Sequence, residues 1–344
     1  MLAHLEELKK NIEGDLYFDL TMRTLYATDA SVYRELPLAV ARPKHKQDVQ
    51  KIIAFANKYK IGIIPRTAGT SLAGQVVGKG IIVDVSKYFT EIYEINTKEK
   101  WVRLQPGIVL DELNKKLEPL NLFFGPETST SNRCMVGGMV GNNSCGSHSV
   151  IYGTTRDHLL EINGFLSDGS EVTFKSLNLE EYNAKLSLDN LEGNIYRFIN
   201  ETLTNKENQT EIRAEFPKPT INRRNTGFAI DVLLESAPFT EGKEAFNMCK
   251  LIAGSEGTLV FINDIKLNLI PLPPSIKGVV AVHLNTIAEA TRANLIALSH
   301  NPGAVELLDD IVLQCTKSSI EQSKNRAFVQ GDPGALLIVE WARE

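Results

Sequence analysis

PRTAGTSLAGQ, Pro65 to Gln75, follows directly on the apolar run IGII and decides how the surrounding chain is read. A short strand that opens into small residues lets the backbone curl until successive N–H groups converge, a nest for an anion such as a pyrophosphate. Ala68, Gly69, Thr70 and Ser71 are the small residues, and the hydroxyls of Thr67, Thr70 and Ser71 add donors. The competing reading is a solvated turn. Two commoner phosphate loops are excluded. Gly74-Gln75-Val76-Val77-Gly78-Lys79-Gly80 places three residues between its first two glycines, where a P-loop has four, and ends in Gly where Ser or Thr binds magnesium. No G-x-G-x-x-G joins a strand to a helix, so a Rossmann NAD site has no support.

Around this loop the chain keeps a β-α-β rhythm. LAVARP reads as a strand, residues 47 to 60 as a helix, IGIIP as the next strand, and IIVDV, EIYEI and WVRLQP as further strands before a helix from about Val109 to Leu117. A second polar tract, GPETSTSNRCMVGGMVGNNSCGSHSVIYGTT, runs from Gly125 to Thr155. So many Gly, Asn and Ser residues destabilise an ordinary core, because their backbone groups need partners, and a bound polar ligand supplies them. Gly137-Gly138 permits close backbone approach, and Asn142, Asn143, Ser144 and His148 offer hydrogen bonds to a heterocycle. EINGFLSDGSEVTF then reads as a hairpin turning at Ser167-Asp168-Gly169, and residues 176 to 220 as a polar, partly helical connection. Gly254-Ser255-Glu256-Gly257-Thr258 precedes the strand LVFINDIKL, a weak signal alone and a stronger one in third place after the other two loops.

Together the three elements resemble the PCMH-type FAD-binding domain of the vanillyl-alcohol-oxidase superfamily, over about residues 20 to 270. QPGIVLDELN (Gln105 to Asn114), STSNRCMVGG and RRNTGFAID (Arg223 to Asp231) resemble its D-lactate, glycolate and D-2-hydroxyglutarate dehydrogenase branch, in particular the large bacterial members with a C-terminal iron–sulfur module. The resemblance implies an α+β chain. A helical lead-in at 1–35 precedes a PCMH-type fold of two α/β subdomains at 36–272, and 273–344 begin an α/β substrate-binding cap that breaks off on a strand.

The same resemblance assigns FAD contacts to Pro65, Arg66, Thr67, Ala68, Gly69, Thr70, Ser71, Leu72, Gly74 and Gln75. It adds Pro126, Glu127, Thr128, Ser131, Gly137, Gly138, Gly141, Asn142, Asn143, Ser144, Gly146, His148, Tyr152 and Gly153, with Glu256, Gly257 and Ile262 closing the site. Members with covalent flavin carry His where this chain has Thr70, and the spacing of Cys134 from Gly137 differs from a thioether loop, so noncovalent FAD is expected. Family catalytic and metal-binding histidines fall in the later cap, so no metal site is expected within these residues. His148 and Arg224 are the catalytic candidates here, the latter competing with a surface salt bridge. His283, on an apolar strand, reads as a satisfied core histidine.

Bulk properties agree. A net charge of −5 without a basic run argues against nucleic-acid binding. Cys134, Cys145, Cys249 and Cys315 form no C-x-x-C pair, so neither zinc nor an iron–sulfur cluster is indicated within this chain. No stretch reaches the roughly 18 apolar residues of a membrane span, and no signal peptide is visible, so the expectation is a cytoplasmic protein, at most peripheral to the inner face of the membrane.

The activity so implied is oxidation of a 2-hydroxy acid to the 2-oxo acid, with electrons passed to a C-terminal iron–sulfur module or a separate acceptor. Two readings compete: an NADPH-dependent reductase of the UDP-sugar enolpyruvyl type on the same fold, and an FAD-binding subunit without complete activity.

Overall fold

The computed structural model describes residues 1–343 except 219, 222, 225 and 226, so Asn225 and Thr226 of the RRNTGFAID stretch lie outside the described residues. α1 (Leu2–Asn11) turns Leu5 and Leu8 inward. β1 (Asp15–Tyr17), α2 (Leu20–Leu25), β2 (Ala39–Arg42), α3 (Lys46–Tyr59), β3 (Ile63–Arg66) and β4 (Ile81–Asp84) follow. They build a sheet of order β1-β2-β4-β3 in which β2, β4 and β3 are parallel and β1 is antiparallel at the edge. Ala39 to Ala41 and Ile81 to Val83 are fully buried, the unbroken apolar pattern of strands covered on both faces. α3 buries Val49, Ile52, Ile53 and Ala56, at the i, i+3, i+4, i+7 spacing of one helix face. Buried Asp48 accepts backbone N–H groups from Glu13 (2.9 Å), Gly14 (2.8 Å) and Lys44 (3.0 Å), pinning the lead-in segment to the turn before α3.

β5 (Ile92–Asn96), β6 (Trp101–Leu104), α4 (Leu110–Leu117) and β7 (Leu122–Phe123) lead to three short helices, α5 (Val136–Asn142), α6 (Ser149–Tyr152) and α7 (Thr155–His158). The sequence marks this tract only as glycine-rich loop. Its first part winds into helix because Val136, Met139 and Val140 are buried on one face, and that packing offsets the poor helix propensity of glycine. β8 (Leu159–Phe165), β9 (Glu171–Phe174) and β10 (Ser176–Leu177) come next, then α8 (Leu179–Leu186), α9 (Leu191–Thr204), α10 (Lys206–Glu215) and α11 (Ile230–Leu234). β11 (Phe246–Asn247), α12 (Cys249–Ile252), β12 (Phe261–Asn268) and β13 (Ile270–Pro271) complete this part.

Its main sheet has the order β5-β6-β12-β8-β9 and is antiparallel throughout. Arg103 of β6 ties three strands together, with Nη1 2.7 Å from Asp264 of β12 and Nη2 2.6 Å from Glu161 of β8. Phe165 and Phe261 are buried in the core of the first sheet, which joins the two sheets into one unit. The polar 176–220 stretch supplies α8 to α10, and Tyr182 and Tyr196 dock there against Phe246 at ring separations of 4.9 and 5.9 Å.

β14 (Ile276–Leu284), α13 (Ile287–Leu298), β15 (Ala304–Asp309), α14 (Asp310–Ser318) and β16 (Ala335–Arg343) form the last part, an antiparallel sheet of order β14-β16-β15. A small core of Ala297, Leu337 and Val339 holds α13 on it. The sequence presents AVELLDDIVLQ as one segment. It divides at Asp309, whose carboxylate accepts the Val312 N–H at 2.8 Å and caps α14. No described helix is long and apolar enough to cross a membrane.

Candidate functional site

The loop after β3 and the exposed face of α5 enclose a cavity of about 650 Å³, within the range of small-molecule sites. From the first loop its wall takes Pro65, Arg66, Thr67, Gly69, Thr70, Ser71, Leu72 and Gln75. The second tract contributes Thr128, Gly137, Gly138, Gly141, Asn142 and Ser144, and Glu256, Gly257 and Ile262 close it. Two close approaches shape it. A Cβ on Gly138 would lie 2.6 Å from Thr67 Oγ1, and one on Gly69, at φ +65°, would lie 2.7 Å from Arg66 Nη2. Any side chain at either glycine would intrude.

Arg66 and Arg133 are the cations of the wall, and Arg66 is the more buried. Its guanidinium stacks 5.1 Å from the Tyr26 ring and reaches the Tyr26 carbonyl at 3.4 Å. Burial holds its pKa below the ordinary value, against the pull of Asp84, Tyr26 and Asp29, so an anionic ligand would compensate a partly desolvated charge. Glu256 is the opposing group. It adopts φ +51°, a left-handed backbone costing a non-glycine residue ~1–2 kcal/mol, and accepts a hydrogen bond from Asn142 Nδ2 at 3.0 Å. Burial pushes its carboxyl above the usual range, partly countered by hydrogen bonds from Asn142 and Gln75. Asp29, beside the wall residue Ala30, keeps Oδ2 buried without a hydrogen-bond partner. Two cations, glycine-bounded backbone and unmet acceptor capacity fit a dinucleotide rich in phosphate and hydroxyl groups.

Other residues expected at the site stand behind this wall. Asn143 is fully buried and receives the Arg156 N–H at 2.8 Å. Gly74 lies against Tyr33, Gly146 against the Glu127 backbone and Gly153 against Asp157. Pro126 is buried, Ala68 half-buried, and the Ser131 carbonyl receives the Asp111 N–H at 3.1 Å. Tyr152 meets Phe123 edge-on at 5.1 Å. The two catalytic candidates are also outside the wall. His148 is held between Glu127 and Glu340, and Arg224 pairs with Asp231 and reaches the Pro217 carbonyl at 3.3 Å. His283 accepts the Gln330 N–H at 3.0 Å and contacts the Ala281 carbonyl, so both ring nitrogens are engaged.

The wall also takes Cys134 and residues the sequence reading passed over, among them Ala30, Pro106, Met135 and Phe261. Pro106 had a signal, a Pro-Gly pair between a strand and a helix; a Cβ on Gly137 would lie 2.4 Å from its Cβ. Cys134 is 5% exposed, and burial pushes its thiol pKa up, which keeps it a neutral, poor nucleophile. Behind the wall, buried Arg156 donates to the carbonyls of Ala253 (2.6 Å) and Lys250 (2.8 Å) and anchors the segment that leads into Glu256 and Gly257. A second cavity of about 430 Å³ between α9 and α12 is apolar apart from Asn194 and offers a charged dinucleotide nothing.

Residues 37–175 match the family described as FAD binding domain. The chain is 35% identical to "D-2-hydroxyglutarate dehydrogenase" of Haemophilus influenzae, a match covering 99% of this chain and 33% of that protein. With the protein of the same name from Pseudomonas putida it shares 33% identity over 96% of this chain and 32% of the other. The chain thus spans about a third of the length of these relatives. Among solved structures, an alkyldihydroxyacetonephosphate synthase superposes with a TM-score of 0.65 at 17% identity, over 99% of this chain and 56% of that one, a likeness of fold. Both glycine-rich loops that wall the cavity fall within residues 37–175, the stretch that is similar to the FAD binding domain family.

Proposed function

We propose that this protein holds FAD noncovalently in the 650 Å³ cavity and takes part in oxidising a D-2-hydroxy acid, of the 2-hydroxyglutarate, lactate or glycolate type, to the 2-oxo acid. The observation that carries the reading is the extent of the likeness. Identity of 33–35% to D-2-hydroxyglutarate dehydrogenases runs through 96–99% of this chain, across the cavity walls and on into the β14–β16–β15 sheet.

When bound, FAD supplies a two-electron acceptor for the hydride that leaves the substrate Cα. The chain's own residues bind and orient. Arg66 and the backbone N–H groups of the Pro65–Gln75 loop hold the diphosphate, and Gly137 and Gly138 let α5 approach it without side chains. Val260, Phe261 and Ile262 give the cavity an apolar side that excludes water. Neutral Cys134, and Thr70 where covalent relatives carry His, favour noncovalent attachment.

No described residue is assigned as the base that takes the hydroxyl proton or as the clamp on the substrate carboxylate. Within the chain, His148 and Arg224 are each engaged by carboxylates away from the cavity. The electrons then pass to an acceptor, an iron–sulfur module or a separate carrier. Anaerobic addition of D-2-hydroxyglutarate, D-lactate or glycolate to the FAD-loaded protein tests the reading. Bleaching of the flavin by one of them supports it. A flavin that dithionite reduces and none of the three acids touches contradicts catalysis by this chain, and bleaching by NADPH instead would favour the reductase.

A further inference from the structure

The sheet β14–β16–β15 meets the cofactor-binding part of the molecule at a cluster the proposed reaction does not use. His148 Nε2 lies 3.0 Å from Oε1 of Glu340 in β16, and Nδ1 is bonded to Glu127. Lys277 of β14 reaches the same Glu340 oxygen at 2.9 Å. The Gly303 N–H, just before β15, donates to the Glu340 backbone carbonyl at 2.6 Å, and a Cβ on Gly303 would lie 3.9 Å from the His148 ring. Glu340 thus bonds the imidazole and is itself held by Lys277 of β14 and by Gly303 just before β15.

On the other side, that imidazole closes the tract that walls the cavity. Glu127 immediately precedes Thr128, Ser129 and Thr130, and His148 follows shortly after Ser144 and Cys145, all of them wall residues. The two arms touch: Ser147 Oγ donates to Glu127 at 2.9 Å, and a Cβ on Gly146 would lie 2.6 Å from the Glu127 carbonyl oxygen.

The proton count fixes the chemistry. An ionised carboxylate only accepts, and a neutral imidazole carries one N–H, so a ring with a carboxylate at each nitrogen satisfies both only as the imidazolium. We propose that His148, as an imidazolium shared by Glu127 and Glu340, is a positioning residue that clamps the β14–β16–β15 sheet to the wall of the dinucleotide cavity. Losing its proton turns a lone pair toward one carboxylate and loosens the clamp. Burial works against the charge on His148, and the hydrogen bonds to Glu127 and Glu340 outweigh it, so its pKa stands above the ordinary histidine value. The other titratable groups facing it are Lys277 and Tyr152, whose ring is 6.1 Å away and whose pKa burial raises. The clamp is therefore complete below the unfolded-state pKa of ~6.5 and is lost as pH rises through the higher folded-state value.

Hydrogen–deuterium exchange of the full chain without FAD, corrected for intrinsic rates, tests this between mildly acidic and alkaline pH. In the wild type, protection of residues 125–153 and 335–343 is expected to fall in one step as pH rises, with the β1–β4 sheet unchanged. His148→Gln should be open at every pH. His148→Lys, which keeps a charge that does not titrate in this range, should stay protected without the step, and Glu340→Gln should shrink it. A role in packing alone would lower protection equally at all pH in both His148 variants. No step in the wild type, or an undiminished step in His148→Gln or His148→Lys, overturns the proposal. FAD affinity should follow the same pH profile. That second readout alone rests on the proposed FAD binding, so exchange that steps in a chain that binds no FAD would leave the clamp standing and sink the cofactor reading.

Discussion

Gly138 stands so close to Thr67 that a Cβ on it would lie 2.6 Å from the threonine Oγ1. That approach brings the two loops together around one cavity, and neither loop makes a dinucleotide site without the other. Gly138→Val is expected to push them apart, costing about 1–3 kcal/mol of stability as overpacking does and weakening FAD binding at least as much. Thr67→Ala in the Gly138→Ala background should recover part of the affinity lost by Gly138→Ala alone. Urea unfolding and flavin fluorescence titration of the four proteins measure both effects.

Glu256 puts a carboxyl group in the wall of a cavity proposed for an anion. Burial raises its pKa, so the folded state favours the protonated form. Its stabilising contribution is complete below the unfolded pKa of ~4.3 and is lost as pH rises through the folded value. Over the same window FAD affinity should weaken by roughly threefold to tenfold, as expected for one added like charge at partial screening. Glu256→Gln keeps an acceptor for Asn142 and should flatten this pH dependence, which titrations across mildly acidic pH would reveal.

Asp48 accepts three backbone N–H groups from a fully buried position. Asp48→Asn replaces one accepting oxygen by an NH₂ group that faces those donors. A loss of about 3 kcal/mol is expected, as for hydrogen bonds to a buried charged group. The loss should appear in the urea midpoint and leave FAD affinity nearly unchanged, because Asp48 is not among the residues that wall the cavity.

Arg156 acts behind the wall by holding the Lys250 and Ala253 carbonyls. Arg156→Met leaves these buried acceptors unpaired, at about 1–3 kcal/mol each. It should raise the FAD dissociation constant and speed exchange at residues 253–258 without loosening the β1–β4 sheet.

The elements most legible in the sequence were those with a single period. The parallel strands around Ile81 to Val83 and the α3 face of Val49, Ile52 and Ile53 follow from apolar spacing alone. Glycine-rich loops marked two walls of the cavity, as at Gly69 and Gly138. Long-range pairing was out of reach. Asp48 looks like an ordinary first-turn acid, and nothing in its neighbourhood announces Glu13 and Gly14 as its partners. Arg156 reads as a surface residue until Ala253 and Lys250, nearly a hundred positions later, fold over it. The α5 helix was hidden because its glycines carry a loop signal locally, while the buried face of Val136, Met139 and Val140 becomes decisive only once the core exists.

The most direct test is a flavin titration of the purified chain, followed by acid denaturation and separation of protein from supernatant. The account predicts saturable binding of one FAD per chain, markedly weakened by Gly138→Val, with all of the flavin released into the supernatant. Absence of binding even with excess FAD would contradict the cavity as a dinucleotide site, and flavin retained on the denatured protein would contradict noncovalent attachment.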